Sequence, residues 1–314
     1  MPTAASTRAH PEPVAIPRVP DVSRGARAGD RPLRAIGLFL LSIALFSVSD
    51  AISKELTRSL PAMEVAWMRY LWFVLLVTPF ALAAKGAGAF RPARPGVQVV
   101  RAIGLFASTT FFVAGLVFLP MAEATAITFV GPIFVTALAI PVLGELVGLR
   151  RWLAVAVGLC GMLLVVRPGS DAFSPAAIFP LLSAFAWAVA LVATRLGGDE
   201  PALTALNVSA LVGFVALSAL MPFDWTWPTA RDWAAGAGAG IAATAAQALA
   251  LLAYRSAPAS VLAPFSYSQL LWSGALGFLV FAEVPDGWTG VGAAIIIASG
   301  LYTAHRERVR SIGA

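Results

Sequence analysis

The sequence predicts an all-α membrane protein of ten transmembrane helices, arranged as a five-plus-five inverted repeat. Three observations carry this. The 314 residues are 59% hydrophobic and only 12% charged, against about 45–50% and about 25% in ordinary soluble domains. The apolar residues gather in ten runs, each near the roughly 20 residues that span a bilayer at about 1.5 Å per residue. Landmarks of the first five runs return in the last five.

In chain order the runs cover 35–56, 62–84, 97–119, 121–144, 150–167, 175–195, 202–222, 232–254, 258–282 and 286–305. The first follows a tail, 1–34, rich in Arg, Pro, Ala and Ser with no apolar run that could fold alone, so a disordered cytoplasmic tail is expected. A cleaved signal peptide is not expected, because the first run is long enough to span and no small-residue cleavage site follows it. Tight turns separate later runs, as at Leu119-Pro120 and Ala257-Pro258, where proline suits the first turn of a helix. The connections leave no room for an extramembrane domain. The expected organisation is therefore a first repeat over 35–169, a second over 175–305, and a cytoplasmic tail over 306–314.

Lys and Arg concentrate in cytoplasmic loops. With the N-terminus inside, the inner group holds Arg8, Arg18, Arg24, Arg27, Arg31, Arg34, Lys85, Arg91, Arg94, Arg101, Arg150, Arg151, Arg195, Arg255, Arg306, Arg308 and Arg310. The outer group holds only Lys54, Arg58, Arg167 and Arg231. Both termini are thus expected in the cytoplasm, with the chain in a cell inner membrane. The net charge of +6 belongs to this asymmetry. No basic face or aromatic RNA motif accompanies it, so nucleic acid is not an expected partner.

The repeat is visible in spacing. Pro120 to Glu145 and Pro258 to Glu283 each span 25 positions, crossing apolar residues and an internal proline. Leu40-Leu41-Ser42 with Lys54 matches Leu181-Leu182-Ser183 with Arg195 at one constant offset. Five spans separate the copies, an odd number, so the second half must insert upside down. Inverted repeats are the architecture of alternating-access carriers with binding sites near the midplane.

Met121-Ala-Glu-Ala-Thr-Ala-Ile-Thr-Phe, Gly131-Pro132, Leu143-Gly144-Glu145, Arg151-Trp152, Gly158-Leu-Cys-Gly161 and Arg167-Pro168-Gly169 resemble EamA-type members of the drug/metabolite transporter superfamily. Ala263-Pro264-Phe265-Ser266-Tyr267, Phe281-Ala282-Glu283 and Gly290 echo them in the second half. The resemblance implies ten helices in two inverted halves and transport of small metabolites without ATP. Its cargoes include amino acids, riboflavin, S-adenosylmethionine and sugars, which leaves the substrate open. The Arg-Trp of the first half has no counterpart in the second.

Ionisable residues within spans are expensive, about 2.5–3.5 kcal/mol each on the insertion scale, and need partners or water. Asp50 lies about six residues from the outer end of the first span and Arg69 about seven into the second, so their depths match. Asp50 is the expected partner of Arg69, with Glu123 as the alternative, and Lys54 stands one turn beyond Asp50 at i+4. Two readings of this group stay open, a fixed pair docking two helices and an outer gate.

The fourth and ninth spans hold most of the remaining polarity. Thr125, Thr128 and Pro132 in one, and Pro264, Ser266, Tyr267, Ser268, Gln269 and Ser273 in the other, are expected to line a central cavity. Pro132 and Pro264 each delete a helical hydrogen bond and free a carbonyl. The competing reading is that Ser and Thr cement helix packing. Gln247 stands alone among Ala and Leu and needs a substrate or a neighbouring helix as partner. Trp187 and Trp272 could stack a planar substrate or merely pack. Trp225, Trp227 and Trp233 read as interfacial anchors, and Glu145 and Glu283 as caps or gating contacts with a neighbouring helix.

Small residues over 234–240 and at Gly158 and Gly161 allow close helix approach, and a homodimer is a possible outcome. The single Cys160 excludes an internal disulfide and a thiolate metal cluster, and His10 and His305 lie outside any membrane interior. No metal, cofactor or catalytic set is expected, and an intramembrane enzyme is disfavoured. A carrier in the lipid bilayer, moving a small metabolite such as an amino acid, is the leading expectation. Alternatives are a passive channel and a vitamin or nucleoside-derivative carrier.

Overall fold

The computed structural model describes residues 32–144, 149–167, 174–198, 200–221, 225–257 and 259–312. Among them every regular element is helical: α1 (Pro32–Leu56), α2 (Ala62–Lys85), α3 (Pro95–Phe118), α4 (Met121–Thr128), α5 (Gly131–Leu143), α6 (Leu149–Val166), α7 (Ile178–Gly197), α8 (Ala202–Leu220), α9 (Ala230–Ser256), α10 (Ala259–Leu262), α11 (Ser268–Phe281) and α12 (Gly287–Ile312). Short 3₁₀ turns cover Gly86–Phe90, Pro175–Ala177 and Ala263–Tyr267.

Proline starts these helices. Pro61, Pro120 and Pro201 sit at the N-caps of α2, α4 and α8 with φ of −57°, −56° and −58°, the angle that their rings impose. The start of α9 uses a capping box instead. The Thr229 hydroxyl accepts from Asp232 N–H, and the Asp232 carboxylate accepts from Thr229 N–H. Gly144 ends α5 at φ 68°, a left-handed position that a side chain would strain.

Among the described residues seven helical stretches are long and apolar enough to cross a membrane: Leu33–Leu56, Ala62–Phe90, Pro95–Phe118, Met121–Leu143, Pro175–Gly197, Ala202–Leu220 and Ala230–Ser256. Within the described residues α6 and α12 add the apolar stretches Ala156–Val166 and Gly287–Ser299, and the ninth run is divided into α10, a 3₁₀ turn and α11. The fourth run also breaks, between Thr128 and Gly131. Residues 1–31 of the expected tail lie outside the described residues, and Pro32, Leu33 and Arg34 belong to α1. The expected C-terminal tail is helical as far as Ile312.

The helices pack in matched pairs. α1 runs along α9 and α7 along α3; α2 touches α9 and α8 touches α3; α11 meets α1 and α5 meets α7. Two further pairs are α2 with α8 and α6 with α12. Buried at the centre is α4, whose Met121, Ala124, Thr125, Ala126 and Ile127 are inaccessible. Lys54, Arg58 and Arg231 share one end of the bundle with Glu55, at 3.0 Å from Arg58 and 3.9 Å from Arg231. At the other end Arg94 donates to Leu196 O at 2.6 Å and Lys85 reaches the Thr204 hydroxyl at 3.4 Å.

In lipid no hydrophobic force drives apolar helices together, so close backbone approach through small residues holds the bundle. Gly161 and Gly292 bring α6 onto α12: a Cβ at Gly161 would stand 2.9 Å from Gly292 O. Gly236 receives Met68 and Gly240 receives Trp72, locking α9 to α2. Gly161, Gly236 and Gly240 thus serve close helix approach within one chain. Gly161→Val is expected to destabilise the protein by about 1–3 kcal/mol through overpacking, read as a lower melting temperature in detergent micelles.

Candidate functional site

Two charges meet inside the bundle. Arg69, near the middle third of α2, donates from Nη1 to Asp50 Oδ1 of α1 at 2.9 Å and to the Ser53 hydroxyl at 3.3 Å. Asp50 is 5% exposed and Arg69 9%, so each neutralises the other where solvent is scarce. Asp50, and not Glu123, is the partner of Arg69. Lys54 does not pair with Asp50 despite the i, i+4 spacing; its ammonium turns to the neighbouring α11 segment.

Beside this pair lies a cavity of about 60 Å³ lined by Phe46, Arg69, Tyr70, Phe73, Thr109, Ala243, Thr244 and Gln247, from α1, α2, α3 and α9. Three aromatic faces, three hydroxyls, an amide and a guanidinium thus converge. Thr109 and Thr244 also donate toward their own helices' carbonyls, at 3.1 and 2.8 Å. Gln247 makes no hydrogen bond to any described residue, so its half-buried amide keeps donors and acceptors unspent in this wall. Of the expected cavity residues, only Gln247 is in this wall.

Thr125 and Thr128 lie instead at the crossing of α4 and α11. Thr125 is inaccessible and donates to the Ser273 hydroxyl at 2.9 Å, while Thr128 bonds back to Thr125 O at 2.7 Å. Their polarity is consumed in packing. Phe129, at the break after α4, stacks on Tyr267, at the break before α11, with centroids 5.0 Å apart and planes 30° apart. Pro132 and Pro264 sit in the first turns of α5 and of the 3₁₀ turn. There a missing N–H leaves nothing unpaired, so these prolines start new helical segments and do not kink continuous ones. Trp187 is 42% and Trp272 44% exposed, and Trp187 covers Gly131. Gln269 is half-buried and lies outside the cavity wall.

A second charged cluster occupies the bundle end near Lys54. Lys54 Nζ pairs with Glu283 Oε1 at 2.5 Å and donates to Leu119 O at 2.6 Å. Glu283 Oε2 accepts the Met121 N–H at 2.8 Å, which caps α4 from the segment that follows α11. Phe281 lies beneath Lys54 and Arg58, each 5.5 Å from its centroid. Arg167 pairs with Asp286. Glu123 lies within electrostatic reach of Arg167, Asp286 and Lys54. Glu145 lies outside the described residues. Among the described residues no group of three metal-ligating side chains occurs.

The sequence pattern of the EamA-like transporter family matches residues 33–167 and again 174–303. This chain belongs to the EamA-like transporter family. It is 30% identical to an S-adenosylmethionine uptake transporter of Rickettsia prowazekii over 88% of this chain and 94% of that protein. It is 32% identical to a riboflavin transporter of Rhizobium johnstonii over 88% and 92%, and 27% identical to a pseudopaline exporter of Pseudomonas aeruginosa over 83% and 93%. A solved crystal structure shares the fold at a TM-score of 0.61 and 21% identity, over 88% of this chain and 98% of that one. The chain is thus a multi-pass membrane transporter of small molecules and not an enzyme.

Two stability effects are expected of this EamA transporter. Asp50→Asn strands a buried guanidinium and should destabilise by about 3–5 kcal/mol, whereas Asp50→Asn with Arg69→Gln should recover part of the loss in thermal unfolding. Asp286 caps α12, accepting from Thr289 N–H at 2.8 Å. The Thr289 backbone, then its hydroxyl, then Arg167 hold the Asp286 carboxyl below its usual 3.8. A depressed carboxylate stabilises fully above the unfolded pKa and loses that contribution as pH falls through the folded one. Asp286→Ala should therefore lower stability by about 0.5–2 kcal/mol at neutral pH, the gap from the parent closing as the buffer is acidified below pH 3.8.

Proposed function

We propose that this transporter is a secondary carrier working by alternating access between two inverted five-helix halves, and that the Arg69–Gln247 cavity receives the cargo. The observation that carries this is a single register. Pro120 and Pro258, and Glu145 and Glu283, stand 138 positions apart. The same register relates Thr109 to Gln247, which line one cavity, and Phe129 to Tyr267, which stack on one another. Residues exchanged by a two-fold rotation meet only near its axis, so these two meetings mark where the axis runs. The matched helix pairs obey the same exchange, α1 with α9 against α7 with α3, and α2 with α8 and α6 with α12 onto themselves. Counting α4–α5 and α10–α11 as single broken spans gives five per half. An axis of that kind lies in the membrane plane, which sets the cavity near mid-depth.

The charge asymmetry supports both termini in the cytoplasm of a bacterial inner membrane, and the Lys54 end facing outward. For the cargo, the wall favours a planar heterocycle with a polar arm. Phe46, Tyr70 and Phe73 offer ring faces, Gln247 offers hydrogen bonds, and the Asp50–Arg69 pair adds no net charge. S-adenosylmethionine and riboflavin, the compounds named for two relatives, both have that build. This draws the expectation from amino acids toward nucleoside and flavin derivatives.

Uptake of labelled S-adenosylmethionine and riboflavin into proteoliposomes is expected to saturate and to accelerate when unlabelled cargo is trapped inside. Gln247→Ala should reduce the initial rate at least tenfold with unchanged melting temperature. Linear flux would identify a pore, and preferential transport of an amino acid over both compounds would overturn the cargo class.

A further inference from the structure

Tyr70 forms one wall of the cavity, and what stands behind its ring is the backbone of Gly213 on α8. A Cβ at Gly213 would lie 2.2 Å from Tyr70 Cε1, 2.5 Å from Cδ1 and 3.0 Å from Cζ, where ordinary contact is 3.4–4 Å. The ring therefore rests in a recess that only glycine provides. It also meets Phe73 edge to face at 5.9 Å, which limits rotation along α2.

We propose that Gly213, which touches no part of the cavity itself, is a positioning residue that sets the cavity's width by letting the Tyr70 ring withdraw into α8. The proposal rests on the cargo site assigned above. The reason the ring and not the helix must yield lies on the opposite face of α2. There Met68 is seated on Gly236 and Trp72 on Gly240, where Cβ atoms would stand 2.5 Å from Met68 Sδ and 2.6 Å from Trp72 Cβ. Interlocked with α9 at two successive turns, α2 has no room to retreat. A methyl at position 213 drives the ring by about 1 Å to restore van der Waals separation, and the space open to it is the cavity. In a cavity of about 60 Å³ that displacement narrows the passage between Tyr70 and the α9 wall formed by Ala243, Thr244 and Gln247. The residue at 213 thus bears on the thickness of cargo admitted: glycine leaves the most room beside Tyr70, and alanine leaves less.

The test reads the width directly. In a Cys160→Ser background, a Thr244→Cys variant carries its single thiol in the cavity wall, and its modification by a small water-soluble methanethiosulfonate is followed in proteoliposomes. Adding Gly213→Ala is expected to slow modification at least tenfold, and adding Tyr70→Leu on top should restore it. An unchanged rate with Gly213→Ala, a slowing that Tyr70→Leu does not relieve, or a Thr244→Cys thiol that never reacts would each overturn the proposal. Riboflavin uptake supplies the second readout: Gly213→Ala should raise the half-saturation concentration while the maximal rate holds. If Gln247→Ala leaves uptake intact while Gly213→Ala still slows labelling, the cargo assignment fails and the width control stands.

Discussion

One carboxylate and one ammonium close two helix ends at once, beside a third that closes through its own backbone. Backbone groups left over where helices stop have no partners in hydrocarbon, and here three stops coincide. Glu283 receives the first N–H of α4 at Met121 and the ammonium of Lys54, and Lys54 in turn takes the carbonyl of Leu119, where α3 ends. The Glu283 N–H bonds Gly277 O and the Ala282 N–H bonds Phe278 O, so α11 ends through Ala282 in a left-handed conformation, φ 56°. Because of this arrangement, α4 can begin immediately after α3, in the centre of the bundle, with Met121 inaccessible. Without such partners a helix start there would leave a buried donor unpaired.

The same economy governs the charges. Asp50 with Arg69, Lys54 with Glu283, and Arg167 with Asp286 each sum to zero. A neutral pair spares the bundle the penalty of an isolated charge, and it lets the cavity wall hold a guanidinium whose charge is already balanced. Arg69 has further donors beyond those given to Asp50 and Ser53, so it presents hydrogen-bonding capacity to the cavity while its charge stays balanced.

Apolar runs, basic loops and the Asp50–Arg69 pair were legible in the sequence because each is a one-dimensional property: length, sign, and depth along neighbouring spans. The cavity was not, because its position depends on which faces of α1, α2, α3 and α9 meet, and Ala-rich α9 carries almost no pattern to tell its faces apart. Concentrated polarity in Thr125, Thr128 and Ser273 pointed to the α4–α11 crossing, yet short hydroxyls satisfy each other or their own backbone. Gln247 was recognisable because an amide cannot do so from an isolated place in a helix. The partner of Lys54 was not legible, since helical spacing gives its proximity to Asp50 and no information about Glu283. The pairing of Thr109 with Gln247 could have been found by extending the Pro120–Pro258 register eleven residues toward the N-terminus.

The glycine seats divide the molecule mechanically. Where backbone meets backbone, as at Gly161 with Gly292 or Gly104 with Ala186, there is no flexible side chain to absorb sliding, and such helices travel together like toothed bars. Where rings or hydroxyls intervene, as at Phe129 on Tyr267 or Thr125 on Ser273, surfaces can tilt and re-form. The α6–α12 pair is therefore a stiff member, whereas the crossing of α4 and α11 is a more compliant contact.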